Sequence, residues 1–365
     1  MKHLDCVDRG VDLDAVRRAI EQWYVRAHRS LPWRNARDPY SIWISETMLQ
    51  QTRVETVLPF YERFMREFPD VRSLAEAPRE RVMSAWSGLG YYRRVRMLHE
   101  AARKVLDDWG GRVPGDLEDL RRLPGVGPYT AGAIASIAYG RRVPLVDGNV
   151  KRVLARVFAV ELDLACARGS SRIWDLAERF VAPPGIDPGI LNQGLMELGA
   201  TVCLPRRPRC DDCPLRRHCV ALSTGQTRDL PRVVPKRASL AVSQTALVVA
   251  SERRIVLARR PPSGLFGGLW EPPSTEGDVV ALAARCRISD SEIRAAGSVE
   301  HVLTHRNMHV SVVLAPLGRR RTFPSLAPEY DAVEVLEWTM VDRYAHSALT
   351  LKVLNLATGV LAGLR

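Results

Sequence analysis

The first two-thirds of the chain shows the hydrophobic spacing of helices. Near the amino terminus, apolar side chains recur every three or four positions at Ala15, Val16, Ile20, Trp23 and Tyr24. This spacing places them on one face of an α-helix. The same spacing returns in the segments Ile42–Leu49, Val54–Phe68 and Val95–Leu106. No strand-like alternation of any length interrupts it, so we predict an all-helical domain over residues 1–225.

The pattern changes after that domain. Residues 226–239 contain little apolar sequence and include Pro231 and Pro235, which is typical of a linker. Beyond it, short runs rich in Val and Leu are separated by Pro and Gly, and these predict strands. The predicted strands are Leu240–Ala250, Arg254–Ala258, Val299–Pro316 and Val333–Val341. With helices near Asp278–Cys286 and Ser347–Leu361, residues 240–365 form a predicted α+β domain.

Charge suggests the kind of partner. Lys and Arg outnumber Asp and Glu by 53 to 41, a net charge of +12 with a pI near 9.7. A surplus of this size favours a polyanion, because each phosphate contact releases condensed counterions. No apolar run approaches the roughly 18 residues of a membrane span, and the start of the chain lacks the apolar segment of a signal peptide. We therefore expect a soluble protein that stays in the compartment that makes it and has no membrane partner. We further predict that it is cytoplasmic and nucleoid-associated and acts as a monomer.

Four of the seven cysteines lie in one short segment. Cys203, Cys210, Cys213 and Cys219 have the spacing C-x6-C-x2-C-x5-C. Four thiolates this close in sequence can bind one metal centre, either zinc or an iron–sulfur cluster. Zinc sites more often use two separated pairs, whereas wide gaps suit a larger cluster, but the residues alone leave both open. From residue 203 to 237 there are nine Lys or Arg against three Asp, which suits a phosphate-binding surface.

A glycine-rich turn joins two helical patterns. The segment Leu123–Gly132 contains Gly125 and Gly127, which allow a tight turn, and Pro128, which suits the first turn of the next helix. Backbone N–H groups at such a helix start can bind phosphate without sequence preference. This is a helix-hairpin-helix pattern.

Two acidic residues, Asp147 and Glu46, lie in segments with helical sequence patterns. Asp147 stands before a predicted helix over Gly148–Phe158, where on its own it is a helix N-cap. Glu46 lies among the apolar residues of Ile42–Leu49, where on its own it is a solvated helix residue.

Six motifs then occur in order along the chain. They are Leu31-Pro-Trp33-Arg34, Ser45-Glu46-Thr-Met-Leu-Gln-Gln51-Thr, Gly88-Leu-Gly-Tyr91-Tyr92, Leu123–Gly132, Val146-Asp147-Gly-Asn149 and the four-cysteine segment. Together they resemble the MutY-type adenine DNA glycosylases of the helix-hairpin-helix superfamily, over nearly all of residues 20–225. The resemblance implies a [4Fe–4S] cluster on the four cysteines rather than zinc. It also implies excision of adenine mispaired with 8-oxoguanine or guanine in double-stranded DNA.

The resemblance assigns roles to single residues. Glu46 becomes the acid that protonates adenine, and Asp147 the carboxylate that stabilises the oxocarbenium ion, a division of labour known from sugar glycosidases. Asn149 and Tyr129 support them. Because the base must leave the helix to be reached, further residues contact adenine or fill the DNA gap. The implied adenine pocket is Arg29, Leu31, Trp33 and Gln193, and the implied DNA contacts are Leu49, Gln51, Tyr91, Gly125 and Gly127.

Tyr129 separates two subclasses. The related endonuclease III-type enzymes have a lysine here that attacks the sugar and cuts the backbone, and tyrosine lacks the amine that a Schiff base needs. We expect a monofunctional glycosylase that hydrolyses the bond.

The carboxy-terminal segment Gly264–Pro273 resembles the loop and strand before the catalytic box of Nudix hydrolases. The clustered glutamates of that box are missing here, so metal-dependent pyrophosphate cleavage is not expected. The remainder resembles the Nudix-like recognition domain of the MutY family. Its Phe-Ser-His reading loop aligns with Leu303, Thr304 and His305, which keep a hydroxyl but lose the aromatic ring.

Two other functions fit part of the sequence. An endonuclease III-like enzyme acting on oxidised pyrimidines is disfavoured by Tyr129 and by the extra domain. A non-catalytic iron–sulfur DNA-binding protein explains the charge and the cysteines, but not the two carboxylates within their motifs.

Overall fold

The protein is described by a computed structural model over residues 10–34, 37–232, 239–303 and 305–363. Helices come first and a sheet follows, which confirms the predicted fold class. Over these ranges the α-helices are, in chain order, α1 Leu13–Ala27, α2 Pro39–Leu49, α3 Val54–Glu67, α4 Val71–Glu76, α5 Arg79–Ala85, α6 Arg93–Trp109, α7 Leu117–Arg121, α8 Pro128–Ala133, α9 Gly148–Val157, α10 Ala167–Val181, α11 Pro188–Thr201, α12 Val220–Ser223, α13 Val279–Arg285 and α14 Ala348–Gly363. Helix α8 continues as a π-helical turn over Ile134–Ala138.

Aspartate caps set many of the helix starts. The side chain of Asp38 accepts from the amides of Tyr40 and Ser41, and Pro39 occupies the first turn of α2. Such a cap satisfies amides that have no partner inside the helix. The other aspartate caps are Asp12, Asp116, Asp147, Asp187 and Asp278.

The strands form one mixed sheet. They are β1 Leu240–Ala250, β2 Arg254–Arg259, β3 Trp270–Glu271, β4 Ser274–Thr275, β5 Arg294–Val302, β6 Arg306–Pro316 and β7 Ala332–Glu337. The main order is β3-β2-β1-β6-β5, with β4 on β1 and β7 on β2, and β1 runs parallel to β6. The predicted strand Val299–Pro316 is therefore two strands, because the chain turns back between β5 and β6.

Both faces of the sheet are covered. On β1, Ala246 and Val248 pack in one apolar cluster with residues of α14, and Leu247 and Val249 pack in another with residues of α13. This alternation is the period of two expected of a strand buried on both faces. No described helix is long and apolar enough to span a bilayer.

The chain forms two compact units that do not follow its linear order. The first contains Met1–Arg53, Phe68–Ala75 and Glu100–Lys236, and the second contains Val54–Glu67, Glu76–His99 and Arg237–Arg365. Helices α3 and α5 and the start of α6 thus group with the sheet. In the first unit, packing extends as far as Leu230, which is buried against Ala159 and Ala221 although it lies in the predicted linker.

Candidate active site

Helix α2 places a carboxyl group in the interior of the first unit. Every residue from Tyr40 to Met48 is buried, so Glu46 is only 4% exposed. Burial raises the pKa of Glu46 to about 7, because the ionised form loses its water. A carboxyl group with this pKa can hold a proton near neutral pH and release it to a substrate.

Tyr129 contacts this carboxyl group from the helix-hairpin-helix motif. Its hydroxyl donates a hydrogen bond to Oε2 of Glu46, which opposes the rise in the pKa of Glu46. Burial and the carboxylates of Glu46 and Asp147 raise the pKa of Tyr129 well above its ordinary value, so the phenol stays a donor. In the preceding turn Gly125 has φ 76° and Gly127 is the N-cap of α8, and both glycines are exposed.

Asp147 is the N-cap of α9. Its Oδ1 accepts from the amide of Val150 at 2.7 Å, and its Oδ2 accepts from Nδ2 of Asn149 at 2.9 Å. Burial raises the pKa of Asp147, while these two hydrogen bonds act in the opposite direction. The negative charge of Asp147 also raises the pKa of Glu46, so the two carboxyl groups act on one another electrostatically. The cap function and the candidate chemistry therefore use the same side chain.

Close backbone packing holds α8, α9 and α11 around these side chains. A Cβ atom on Gly132 of α8 would lie 2.2 Å from the carbonyl oxygen of Pro144, just before Asp147. A Cβ atom on Gly199 of α11 would lie 2.5 Å from Cβ of Asn149. Real Cβ contacts are essentially never this short, so both positions require glycine.

Arg152 links the Asp147 region to the cysteine segment. Its guanidinium donates to Oδ1 of Asn149 at 2.8 Å and to the carbonyl of Gly199 at 2.7 Å. A further hydrogen bond of 2.7 Å reaches the carbonyl of Cys203. The orientation of Asn149, and through it that of Asp147, thus depends on the start of the cysteine segment.

Glu197 is a site residue that the sequence analysis did not find. Its side chain is fully buried and accepts two hydrogen bonds from the guanidinium of Arg29, at 2.8 and 2.9 Å, and one from Arg34 at 2.5 Å. Burial alone would raise the pKa of Glu197, but these hydrogen bonds outweigh it and hold the pKa at about 2. Glu197 lies four residues after Gln193 on α11, so the two side chains are neighbours on one face of the helix. This spacing could have indicated Glu197 from the sequence.

The remaining predicted residues of the first unit lie at different depths. Leu31 and Trp33 are buried at 6% and 5% exposure, as core residues would be, and Gln193 is partly buried. Leu49 is partly buried at the end of α2, and Gln51 is exposed with φ 58°. A left-handed backbone in a non-glycine residue is uncommon, and such conformations cluster at functional sites.

The four cysteines line one pocket in the first unit. The pocket that Cys203, Cys210, Cys213 and Cys219 help to line has a volume of about 30 Å³ and is partly open to solvent. Arg156 is buried beside them, with Nη1 3.3 Å from Sγ of Cys203. Burial raises the pKa of the Cys213 thiol to about 12 and also raises the pKa values of Cys210 and Cys219. Over the described ranges, no group of three or more His, Cys, Asp or Glu side chains is arranged closely enough to hold a single metal ion.

The other predicted DNA contacts lie in the second unit. Tyr91 is 45% exposed and has φ 51°. Leu303 packs against the apolar core of the sheet and closes the β5–β6 turn through its amide, and His305 is exposed. Thr304 lies outside the described residues. Helix α13, which covers one face of the sheet, has the sequence VVALAAR and so contains none of the carboxylates of a Nudix box.

Comparisons with known proteins match two regions of the chain to protein families. Residues 44–168 match the HhH-GPD superfamily base excision DNA repair proteins, and residues 244–356 match the NUDIX domain. The adenine DNA glycosylase of Rattus norvegicus is 41% identical over 315 residues, which covers 72% of this chain and 61% of the rat protein. The chain thus spans about three-fifths of the length of that relative.

Two further matches are a shorter relative and a solved structure. The adenine DNA glycosylase of Schizosaccharomyces pombe is 35% identical over 327 residues, covering 73% of this chain and 70% of the yeast protein. A thermostable thymine-DNA glycosylase of known structure is similar with a TM-score of 0.53 and 31% identity, over 58% of this chain and 97% of that one. On this evidence the chain belongs to the adenine DNA glycosylase family, with a HhH-GPD region followed by a NUDIX domain.

Proposed function

We propose that this protein hydrolyses the N-glycosidic bond of adenine mispaired with 8-oxoguanine or guanine in duplex DNA. One observation carries the proposal: Glu46 is buried, has a pKa near 7, and receives a hydrogen bond from Tyr129 in the field of Asp147. An acid poised near the working pH, beside a second carboxyl group, is the pair that glycosidic cleavage requires.

The two carboxyl groups divide the reaction. Glu46 gives its proton to the adenine ring, which makes the base a better leaving group as the bond to the sugar breaks and the electron pair departs with the base. Positive charge develops on the sugar, and the carboxylate of Asp147 stabilises it. Water then adds to the sugar carbon and loses a proton, for which the Glu46 carboxylate is the available base. Asn149 keeps Asp147 oriented through its 2.9 Å hydrogen bond.

Tyr129 makes the proposed enzyme monofunctional. Its raised pKa and its hydrogen bond to Glu46 make it a donor to the acid, and it has no amine to form a Schiff base with the sugar. Strand cleavage without alkali, at the rate of base release, would overturn this part of the proposal.

We further propose that Arg29, Leu31, Trp33 and Gln193 contact the extruded adenine. The ion pair with Glu197 supports this role for Arg29, because it holds the guanidinium in place while the Arg29 side chain remains 35% exposed. Leu49, Gln51, Tyr91 and the Gly125–Gly127 turn are the proposed contacts to the rest of the duplex. Leu303, Thr304 and His305 are the proposed reading loop for 8-oxoguanine, with Leu303 in a packing role because it contacts the core.

We propose that the four cysteines hold a [4Fe–4S] cluster. The donor set fits, since four sulfurs line one pocket and the buried cation of Arg156 lies 3.3 Å from Cys203, where it offsets thiolate charge. When bound, the cluster would cross-link the segment of residues 203–219 through its four cysteine ligands. Measured iron and acid-labile sulfide in the purified protein, against zinc, tests this assignment.

The proposed organisation is a glycosylase domain over residues 1–225, a linker over 226–239 and a recognition domain over 240–365, acting as a monomer on DNA in the nucleoid. The matches of residues 44–168 and 244–356 to two different families support the division into a glycosylase domain and a recognition domain.

The proposal is tested on a panel of duplexes. Duplexes that contain A:8-oxoguanine, A:G or an oxidised pyrimidine are incubated with the wild type and with Glu46→Gln. We expect the wild type to release adenine from the first two only, and Glu46→Gln to bind these duplexes while the rate falls by about 10²–10⁴.

Two results would contradict the proposal. Excision of oxidised pyrimidines with strand cleavage would favour an endonuclease III-like enzyme. Duplex binding without release of any base by the wild type would favour a non-catalytic DNA-binding protein.

A further inference from the structure

The turn formed by residues 87–92, here called the tyrosine turn, holds an exposed aromatic ring in a strained conformation. Tyr91 is 45% exposed, and its φ of 51° is left-handed. Such a conformation in a bulky residue is unfavourable and persists only where its surroundings enforce it. Gly88 and Gly90, with φ of 93° and 80°, allow the turn to form.

The next residue, Tyr92, is buried and fastens the turn. Its hydroxyl donates to the carbonyl of His346 at 2.6 Å and accepts from the amide of Gly88 at 2.9 Å. Oγ of Ser87 accepts from the amide of His346 at 3.1 Å. Two side chains of the turn therefore satisfy both backbone groups of one buried residue near the carboxy terminus.

His346 is in turn held by the sheet. It forms a parallel bridge with Trp270 of β3, whose amide donates to the carbonyl of Ala345 at 2.8 Å. Residues on both sides of the tyrosine turn bind the same part of the second unit. Ser84 donates to the carbonyl of Asp342, and Arg96 donates to the carbonyl of Gly267.

We infer that Tyr92 is a positioning residue that ties the tyrosine turn to the Ala345–His346 segment, so that Tyr91 is presented to DNA by the same framework that carries the β5–β6 hairpin. This inference rests on the proposed function. Both Tyr91 and the hairpin belong to the second compact unit, although Tyr91 precedes the sheet by about 150 residues of sequence.

The physical reason lies in the two hydrogen bonds of one hydroxyl. Without the Tyr92 hydroxyl, the amide of Gly88 and the carbonyl of His346 each lose a buried hydrogen-bond partner, and this destabilises the turn. The turn relaxes, the left-handed backbone of Tyr91 is no longer enforced, and the ring has to be ordered when DNA binds. Ordering a side chain during association weakens binding.

The test uses the full-length protein with Tyr92→Phe, Tyr91→Ala and the double variant. Adenine release from an A:8-oxoguanine duplex is measured under single turnover at subsaturating enzyme. Fluorescence of 2-aminopurine next to the 8-oxoguanine reports insertion of the ring. We expect each single substitution to lower the rate about tenfold and to reduce the fluorescence change, and we expect the double variant to match Tyr91→Ala.

Tyr40→Phe is the matched control. Its buried hydroxyl also donates to a backbone carbonyl, that of Phe68 at 2.9 Å, but in the first unit. It should lower the free energy of unfolding without changing the 2-aminopurine signal. Ser87→Ala removes the other side-chain hydrogen bond to His346. If Tyr92→Phe does not fold, Ser87→Ala takes its place and is combined with Tyr91→Ala in the double variant.

Additive effects in the double variant, or a wild-type fluorescence change in Tyr92→Phe, would overturn the inference. Failure of the proposed function gives a different result. The wild type then releases no adenine, while the fluorescence cycle still reports whether Tyr92 acts through Tyr91 on bound duplex.

Discussion

Glu46 combines two requirements that ordinarily conflict. It sits in a helix in which every residue from Tyr40 to Met48 is buried, and an ionised carboxylate there is costly. The same burial raises its pKa to about 7, so that the proton needed for the proposed reaction is available near neutral pH. Tyr129 limits the rise by donating to the carboxylate. The chemistry of the site is thus a direct result of where α2 lies in the core.

This position should cost stability, and the cost should depend on pH. The folded pKa of Glu46 lies above the ordinary value of 4.5, so between about pH 4.5 and 7 the folded protein keeps a proton that the unfolded chain has lost. Stability falls as pH rises through that window. As the pH rises from about 4.5 to 7, we expect the wild type to lose about 3 kcal/mol of unfolding free energy relative to Glu46→Gln, which has no carboxyl group to ionise at this position.

Urea unfolding of both proteins at several pH values measures this difference. Glu67→Gln, at a surface ion pair with Arg81, gives the baseline for the same change of side chain. A constant difference between wild type and Glu46→Gln across the window would show that Glu46 ionises normally in the folded protein.

At the scale of elements, the packing of α11 against the start of α9 fixes Asn149. Gly199→Ala places a methyl group only 2.5 Å from Cβ of Asn149. We expect it to lower stability by about 1–3 kcal/mol, as overpacking does, and to slow adenine release at least about tenfold by moving Asn149.

Gly359→Ala provides the control for this substitution. It lies in α14 with nothing within 4 Å of the added Cβ, so it should stabilise slightly and leave the rate unchanged. An unchanged rate in Gly199→Ala would mean that the position of Asn149 does not depend on this contact.

Much of the element order could be predicted from periodicity. Strand β1 has the predicted bounds Leu240–Ala250, and α2, α3, α6 and α9 overlap their predicted segments. The break between β5 and β6 was not predicted within Val299–Pro316, because the polar residues 304–307 in its middle do not by themselves distinguish a turn from an exposed stretch of strand, and turn geometry depends on pairing. Of the site, Glu46, Tyr129 and Asp147 were named from their motifs. The contact between Glu46 and Tyr129 and the role of Glu197 depend on helices that meet only in the folded chain.

At the scale of the whole molecule, the residues proposed to remove adenine and those proposed to read the opposite base lie in different units. Glu46, Tyr129 and Asp147 lie in the first, and Tyr91 and the β5–β6 hairpin lie in the second. The second unit also takes in α3 and α5, so a cut of the chain at the predicted linker would separate residues that pack together. Base removal and base reading should therefore respond separately to substitution.

The reading loop provides the test of this separation. We expect Thr304→Ala with His305→Ala to lower adenine release from A:8-oxoguanine duplexes about tenfold or more and to change release from A:G duplexes much less, since each lost base contact is worth roughly 1–3 kcal/mol. His309→Ala, an exposed histidine of the same hairpin paired with Glu300, is the control. Equal loss on both duplexes would assign the loop to general DNA binding.

The most direct measurement is the pH dependence of single-turnover adenine release from an A:8-oxoguanine duplex. Because the acid must be protonated and the pKa of Glu46 is about 7, the rate should be level below that pH and fall about tenfold for each pH unit above it. In Glu46→Gln the residual rate should lose this dependence. A wild-type rate that stays constant for about two pH units above 7 would contradict the assignment of Glu46 as the acid.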